Sequence, residues 1–196
     1  MKIQELLSNH QKLPADYVHA IRNTCGDFIY STESPLIKNL NMDSLVSRVK
    51  IRHHKRNDPF VEVFNDALLK KFGKTNIHQR CIFANGPDSF KKVHNQTPYY
   101  VFPIDGFSFL YSRQITDVNE EFRDTLSVLK NSIDSSEAFS IVHDLLLYTY
   151  ESSNLEQGII DGCEIIVYDI PYYFAVNVKS FPVYDQLLHN IRGHVL

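Results

Sequence analysis

Apolar residues recur at helical spacing in several parts of the chain. The clearest case follows Asp58, a residue suited to cap a helix. Pro59 stands in the first turn, apolar residues three or four positions apart share one face, and Gly73 ends the pattern. Further helices are predicted over residues 3–7, 14–25, 88–94, 118–131, 136–150 and 182–192. The helix over 136–150 is apolar on most sides, which predicts that it is buried.

Shorter apolar and aromatic runs predict strands. These runs cover residues 49–54, 80–84, 99–103, 107–111, 163–168 and 172–178. Asp169 and Pro171 separate the last two runs and predict a tight hairpin. Helices come first and strands mixed with helices follow, an order typical of an α+β protein. We expect a single domain over 1–196, with a helical covering segment (1–47), a core (48–178) and a carboxy-terminal helix (179–196).

Composition and charge limit the classes of function. The chain has 196 residues, of which 43% are hydrophobic and 22% are charged, values that favour one folded domain over a disordered scaffold. The net charge of -3 excludes a protein that coats nucleic acid by bulk charge. That mean hides a basic run, because five cations and no acid occur between Arg48 and Arg56. Residues 116–170, by contrast, contain twelve acids and only two cations.

Several classes of site and location are disfavoured. The amino terminus lacks the apolar region of a signal peptide, and no apolar stretch reaches the roughly 18–20 residues that span a membrane. Three widely spaced cysteines fit reduced thiols, so we expect a cytoplasmic protein with no membrane partner. The sequence contains no common nucleotide-binding, hydrolase or zinc motif. The adjacent His53 and His54 are poorly spaced to share one ion, so no metal is expected.

Four segments taken together resemble the ADP-ribosyltransferase superfamily. They are the basic strand VKIRHH at 49–54, the helix from Pro59, the stretch IFANGPDSFKKVHNQTPYYVFP at 82–103, and the late acidic strand within CEIIVYDIPYYFAV at 163–176. The resemblance covers roughly residues 48 to 178 and extends to the phage and bacterial-defence branch, which includes toxins. It implies a small mixed or antiparallel split sheet beside amino-terminal helices.

The resemblance also implies a transferase that uses NAD as its substrate and needs no metal. Glu164 is identified with the catalytic glutamate and Arg52 with the arginine that holds NAD, while Arg80 is the alternative if the first core strand lies elsewhere. The resemblance implies a macromolecular acceptor, either nucleic acid or protein, and an inhibitor or antitoxin protein as a further partner. The other site residues it suggests are Asn85, Tyr99 and Tyr100 for the cofactor, and Lys55, Arg56 and Asp161 for the acceptor.

The residue types suit this glycosyl-transfer chemistry. Cleavage of the bond between nicotinamide and ribose produces an oxocarbenium-like centre, which a carboxylate such as Glu164 can stabilise. The guanidinium of Arg52 can hold diphosphate oxygens through paired hydrogen bonds. Tyr99 or Tyr100 can offer a ring against which nicotinamide stacks.

Two positions depart from the family pattern. Phe83-Ala84-Asn85-Gly86 replaces the usual serine- and threonine-rich element, so the supporting role is either lost or passed to Asn85 or Ser89. Gly162 stands two residues before Glu164, where arginine-modifying members carry another acid. Arginine side chains are therefore an unfavourable acceptor, and a nucleic-acid base is a more attractive one.

Structural explanations compete with each functional one. Glu164 can be an exposed residue of an edge strand, the basic run a solvated loop, the tyrosines core residues and His143 a satisfied core histidine. The competing functions are a non-catalytic nucleic-acid-binding module or protein-interaction module that uses residues 48–56, and an inactive relative that binds a protein.

Overall fold

A computed structural model describes the central part of the chain, which comprises residues 36–41, 46–51, 59–86, 97–104, 106–115, 118–121, 127–128, 131 and 136–178. The predictions for Arg52, Lys55 and Arg56, for Ser89, and for the helices over 3–7, 14–25, 88–94 and 182–192 lie outside these residues.

The described elements define an α+β protein with few helices. The strands are β1 (Ile37–Asn39), β2 (Val46–Arg48), β3 (Ile82–Asn85), β4 (Pro98–Pro103), β5 (Ser108–Ser112), β6 (Tyr150–Glu151), β7 (Glu164–Tyr168) and β8 (Tyr172–Asn177). The α-helices are α1 (Pro59–Phe72), α2 (Val118–Glu121), α3 (Ser136–Thr149) and α4 (Leu155–Ile160), and a short 3₁₀ turn covers Ile77–Gln79.

All eight described strands join one antiparallel sheet, which a single weak strand pairing divides into two halves. The strand order is β2-β8-β4-β1-β3-β7-β5-β6. The halves meet where β1 pairs with β3 through one residue pair, Ile37 and Asn85. A hydrophobic cluster covers one face of both halves, with Ile82, Ile165 and Val167 from one half and Val101 and Ala175 from the other.

The predicted hairpin between residues 163–168 and 172–178 is wrong, although both strands exist. Three strands separate β7 from β8 in the sheet order, because β7 pairs with β3 and β5 while β8 pairs with β2 and β4. Asp169, at a φ of 62°, and Pro171 instead carry the chain from one half to the other. All five residues of β7 are buried, which is typical of a strand covered on both faces.

The helices cover the other face of the half that contains β7. On α1, Phe64, Ala67 and Leu68 are buried, and Gly73 ends the helix in the left-handed conformation, with its N–H bonded to the Leu69 carbonyl at 2.8 Å. The helix predicted to begin after Asp58 is therefore confirmed. Helix α3 is amphipathic rather than buried all round, because Val142 and Leu146 face the core while Ile141 and Tyr148 are exposed.

Two strands lie in the part of the chain for which the sequence predicts only helices. They are β1 and β2, which lie between residues 37 and 48. The strand predicted over 49–54 is wrong in its described part, since Val49–Ile51 has no regular structure and β2 ends at Arg48. Short strands at the junction of two half-sheets carry too few residues for a clear alternating pattern.

Candidate functional site

The backbone before Glu164 is fixed by the end of helix α4. Gly162, at a φ of 73°, donates its N–H to the Ile159 carbonyl, and Cys163 donates to the Gly158 carbonyl at 3.0 Å. This pair of bonds is the Schellman arrangement, which glycine favours because the left-handed conformation costs it nothing sterically. Glu164 follows as the first residue of β7, so a rigid turn sets its position.

The side chain of Glu164 is buried, with 8% of the residue exposed. Its Oε2 atom accepts a hydrogen bond from the backbone N–H of Val118, the first residue of α2, at 3.3 Å. Because β7 lies between β3 and β5, the explanation of Glu164 as an exposed edge-strand residue is wrong. Glu164 is the single buried acid among the described residues, and a buried carboxylate carries a large desolvation cost.

Three residues predicted for the site lie in one row across the sheet. Asn85 is the direct partner of Glu164, Ile37 pairs with Asn85, and Tyr100 pairs with Ile37. Residues opposite one another in a sheet present their side chains on the same face. Tyr100, Asn85 and Glu164 therefore share one face, which we call the carboxylate row.

Ser112 extends the carboxylate row on the other side of Glu164. The register of β5 on β7 ends with Tyr111 opposite Ile165, and Ser112 is the next residue of β5. The Oγ atom of buried Ser112 accepts hydrogen bonds from the N–H groups of Gln114 and Ile115, each at 3.2 Å. Neither Ser112 nor the N–H of Val118 is identifiable from the sequence as part of the site. The only local signal is a serine that ends a strand before a polar turn.

Asp161 lies at the same end of β7 as Glu164. Its Oδ1 atom accepts a hydrogen bond from Gln157 Nε2 at 2.7 Å, and its Oδ2 atom is 3.6 Å from Nε of Arg113. Arg113 also approaches Glu151, at 3.8 Å. Burial raises the pKa of neighbouring Cys163, and the charge of Asp161 adds to the shift, so this thiol stays protonated and weakly nucleophilic at neutral pH.

The structure separates the two tyrosines predicted to contact the cofactor. Tyr99 is buried in the hydrophobic cluster on the opposite face of the sheet and faces away from Glu164. The alternative explanation, a core residue, therefore fits Tyr99. Tyr100, one residue later, is half-buried and lies on the face of the carboxylate row. The alternation of side chains along β4 produces this difference.

Arg80, the alternative NAD-binding arginine, lies at the opposite end of β7. It lines a cleft of about 560 Å³ together with Lys74, Asn76, Ile51 and Asp169. Asp169 directly follows β7, whereas Glu164 begins it, and a strand of this length spans about 13 Å. Ile51, the residue before Arg52 in the sequence, lines the same cleft. The structure therefore does not bring Arg80 next to Glu164.

One ion pair borders this cleft. The Nζ atom of Lys74 is 2.9 Å from Oδ2 of Asp169, and the Ser108 hydroxyl donates to the same oxygen at 2.8 Å. Burial acts to raise the pKa of Asp169, but the hydrogen bonds and the charge of Lys74 outweigh it and lower that pKa.

The lowered pKa of Asp169 predicts a measurable pH effect. Because the folded-state pKa is depressed, the carboxylate contributes stability at neutral pH, and this contribution is lost as the pH falls through the folded pKa, below the ordinary carboxyl range. Replacing Lys74 with Met should raise the pKa of Asp169 towards its ordinary value. Titration of the Asp169 side-chain carbon signal by NMR measures the change, and an unchanged pKa in the variant would show that the hydrogen bond from Ser108 dominates.

His143 has polar partners between the helices. Its Nε2 atom is 3.3 Å from Oδ2 of Asp66 on α1, and its Nδ1 atom is 3.3 Å from Oδ1 of Asp144. The prediction of a satisfied core histidine is confirmed for the hydrogen bonding of His143 and wrong for its position, because the ring is half-buried between the helices and lies outside the core. No group of three or more histidine, cysteine or acidic side chains suited to a metal ion occurs in the part of the chain that the structure describes.

Comparisons with known proteins add no assignment. No family model matches the chain, and neither the curated proteins nor the solved structures include a match. Within the described ranges, none of the helices combines the length and apolar character required to cross a membrane.

Proposed function

We propose that the protein is an NAD-dependent ADP-ribosyltransferase that modifies a macromolecule at a group other than arginine, with Glu164 as the catalytic residue. The observation that carries the proposal is the carboxylate row, in which Glu164, Asn85 and Tyr100 share one face at one end of the sheet. All three residues are site residues suggested by the resemblance. The α+β architecture with a divided antiparallel sheet is consistent with this proposal.

Burial of Glu164 supports a chemical role for the carboxylate. Burying an ionised carboxylate costs free energy that a neutral side chain at the same position would not incur, so folding alone gives little reason to retain an acid here. In the proposed reaction, the bond between the nicotinamide nitrogen and ribose C1 breaks and its electron pair leaves with nicotinamide. The carboxylate stabilises the positive charge that develops on the ribose, and an acceptor nucleophile then bonds to C1 and loses its proton.

Asn85 and Tyr100 receive supporting roles in the proposal. The Asn85 side chain can donate and accept hydrogen bonds, and it stands next to Glu164 where related enzymes carry a serine. Tyr100 offers a half-buried aromatic ring on the same face. In the proposal Arg52 holds the diphosphate, and Arg80 does not, because Arg80 lies at the opposite end of β7 from Glu164.

The direct test is release of nicotinamide from NAD by the purified chain, followed by chromatography. We expect the wild-type protein to release nicotinamide and Asn85→Ala to release it about 10 to 100 times more slowly, the effect of losing a hydrogen bond in the transition state. Asn131→Ala, an exposed amide change outside the carboxylate row, is the matched control and should behave as wild type. A folded wild-type protein that neither binds nor cleaves NAD would disprove the proposal.

A further inference from the structure

A second cleft lies beside the larger one and carries three cations. It measures about 350 Å³ and is lined by Lys38 of β1, Arg48 of β2 and Lys50, together with uncharged residues. Among the residues that the structure describes, none of those lining this cleft is acidic. We call it the basic groove. Ile51 belongs to the walls of both clefts, so the basic groove adjoins the cleft that contains Arg80.

The charge of the basic groove is opposite to that of the protein as a whole. The complete chain has a net charge of -3, and residues 116–170 contain twelve acids against two cations. Three cations with no carboxylate among the described lining residues therefore produce a local positive potential in an acidic molecule. Such a surface attracts anions and repels cationic partners.

Neutral hydrogen-bonding groups complete the lining. Ser47, Asn41 and Tyr173 belong to it, and burial raises the pKa of Tyr173 although its hydrogen bond with Ser47 acts the other way. The Tyr173 hydroxyl therefore stays protonated at neutral pH. Hydroxyl and amide groups beside cations are the groups that contact phosphate and sugar oxygens in nucleic-acid complexes.

From these observations we propose that the basic groove binds the sugar-phosphate backbone of single-stranded nucleic acid. The three cations come from β1, from the end of β2 and from the segment after it, which suits successive phosphates of one strand. A concave groove of this size is too small to receive a duplex, whereas positively charged grooves are the usual track for single strands. Ile51, which is 51% exposed at the border of the groove, offers an apolar surface for a base.

This inference deepens the proposed transferase by naming the class of its acceptor, and it rests on the proposed function for that role. A polymer also fits the geometry, because the two ends of β7 are about 13 Å apart and a strand held in the groove can extend past the adjoining cleft. Binding of nucleic acid itself is independent of NAD cleavage, so the two claims can fail separately.

The experiment measures fluorescence anisotropy of labelled dT20 and rU20 with the full chain, without NAD. We expect binding that weakens about 20-fold between 50 and 200 mM salt, the slope for three contacted phosphates of a single strand. The DNA and RNA arms identify which backbone is preferred. Lys50→Glu should weaken binding at least tenfold. Lys70→Glu, which makes the same charge change on the exposed side of α1, should weaken it less than twofold.

Circular dichroism establishes whether the variants are folded. If Lys50→Glu does not fold, Lys50→Ala takes its place as a milder change, and we expect it to weaken oligonucleotide binding about fivefold. Equal losses in the Lys50 and Lys70 variants would overturn the inference, because bulk charge would then explain the binding. Displacement of the oligonucleotides by equimolar poly-glutamate would also overturn it, in favour of an acidic protein partner. If the protein releases nicotinamide but does not bind oligonucleotides, only the proposal for the basic groove is disproved. If it binds oligonucleotides but does not release nicotinamide, only the transferase proposal is disproved.

Discussion

Glu164→Gln is expected to lower nicotinamide release from NAD by about a thousandfold. The substitution keeps the size of the side chain and removes its negative charge, which in the proposed mechanism stabilises the oxocarbenium-like ribose. Loss of one preorganised electrostatic group in a buried site costs about 100- to 1000-fold in rate. The effect should fall mainly on kcat, because the charge on the ribose develops only in the transition state.

The same variant should fold normally. The amide oxygen of Gln can accept the hydrogen bond that Oε2 receives from the Val118 N–H, and a neutral amide carries a smaller desolvation cost than a carboxylate. We expect the melting temperature of Glu164→Gln to equal or exceed that of the wild type.

Glu151→Gln is a matched control for Glu164→Gln, because it makes the same chemical change at a nearby carboxylate. Glu151 accepts a hydrogen bond from the Tyr111 hydroxyl at 3.3 Å and lies outside the carboxylate row. Its rate of nicotinamide release should stay within about twofold of the wild-type rate. If Glu164→Gln kept the full rate, Glu164 would not be the catalytic residue.

Gly86→Ala is expected to cause the largest loss of stability, about 3 kcal/mol, which is typical of overpacking against a rigid neighbour. Gly86 follows β3 directly, and an added Cβ atom would overlap the backbone carbonyl of Ile159 on α4. Backbone cannot move aside as a flexible side chain can. The displaced elements would be the end of β3 and the α4 turn before Glu164, so nicotinamide release should fall as well.

Thermal unfolding by calorimetry measures this loss. For a domain of this size, about 3 kcal/mol lowers the melting temperature by about 6–12 °C. Gly106→Ala is the control. Gly106 has a φ of 85°, and an added Cβ atom there would meet no described atom within 4 Å, so its substitution tests conformational strain alone, about 1 kcal/mol. Equal melting temperatures for the two variants would show that the contact of Gly86 with α4 is not tight in solution.

The positions of most described elements follow from local sequence patterns. The helix from Pro59 to Phe72 was predictable because its apolar face, first-turn proline and terminal glycine agree. Strands β3, β4, β5, β7 and β8 each lie within two residues of a predicted run, since β-branched and aromatic residues mark them. The α+β class also follows from the order of these patterns.

Pairing between strands depends on contacts that local patterns do not encode. Asp169 to Pro171 has the composition of a hairpin turn, yet it connects strands of different half-sheets, because β7 is already paired on both edges. Lys38 joins the basic groove only because β1 lies beside the end of β3, and its Nζ atom donates to the Phe83 carbonyl at 2.8 Å. The sequence indicates the basic run but not this distant partner.

The candidate site also combines local features of the sequence with features that depend on the tertiary structure. The sequence alone determined the residue types of the site, because these are local features. They are a glutamate that opens a strand after glycine, an asparagine that ends a strand, and two adjacent tyrosines. Tertiary structure decided which of them share a face. Strand register places Asn85 and Tyr100 in the row of Glu164 and turns Tyr99 into the core. Register is set by the simultaneous packing of many strands, and a shift of one residue would reverse every one of these faces.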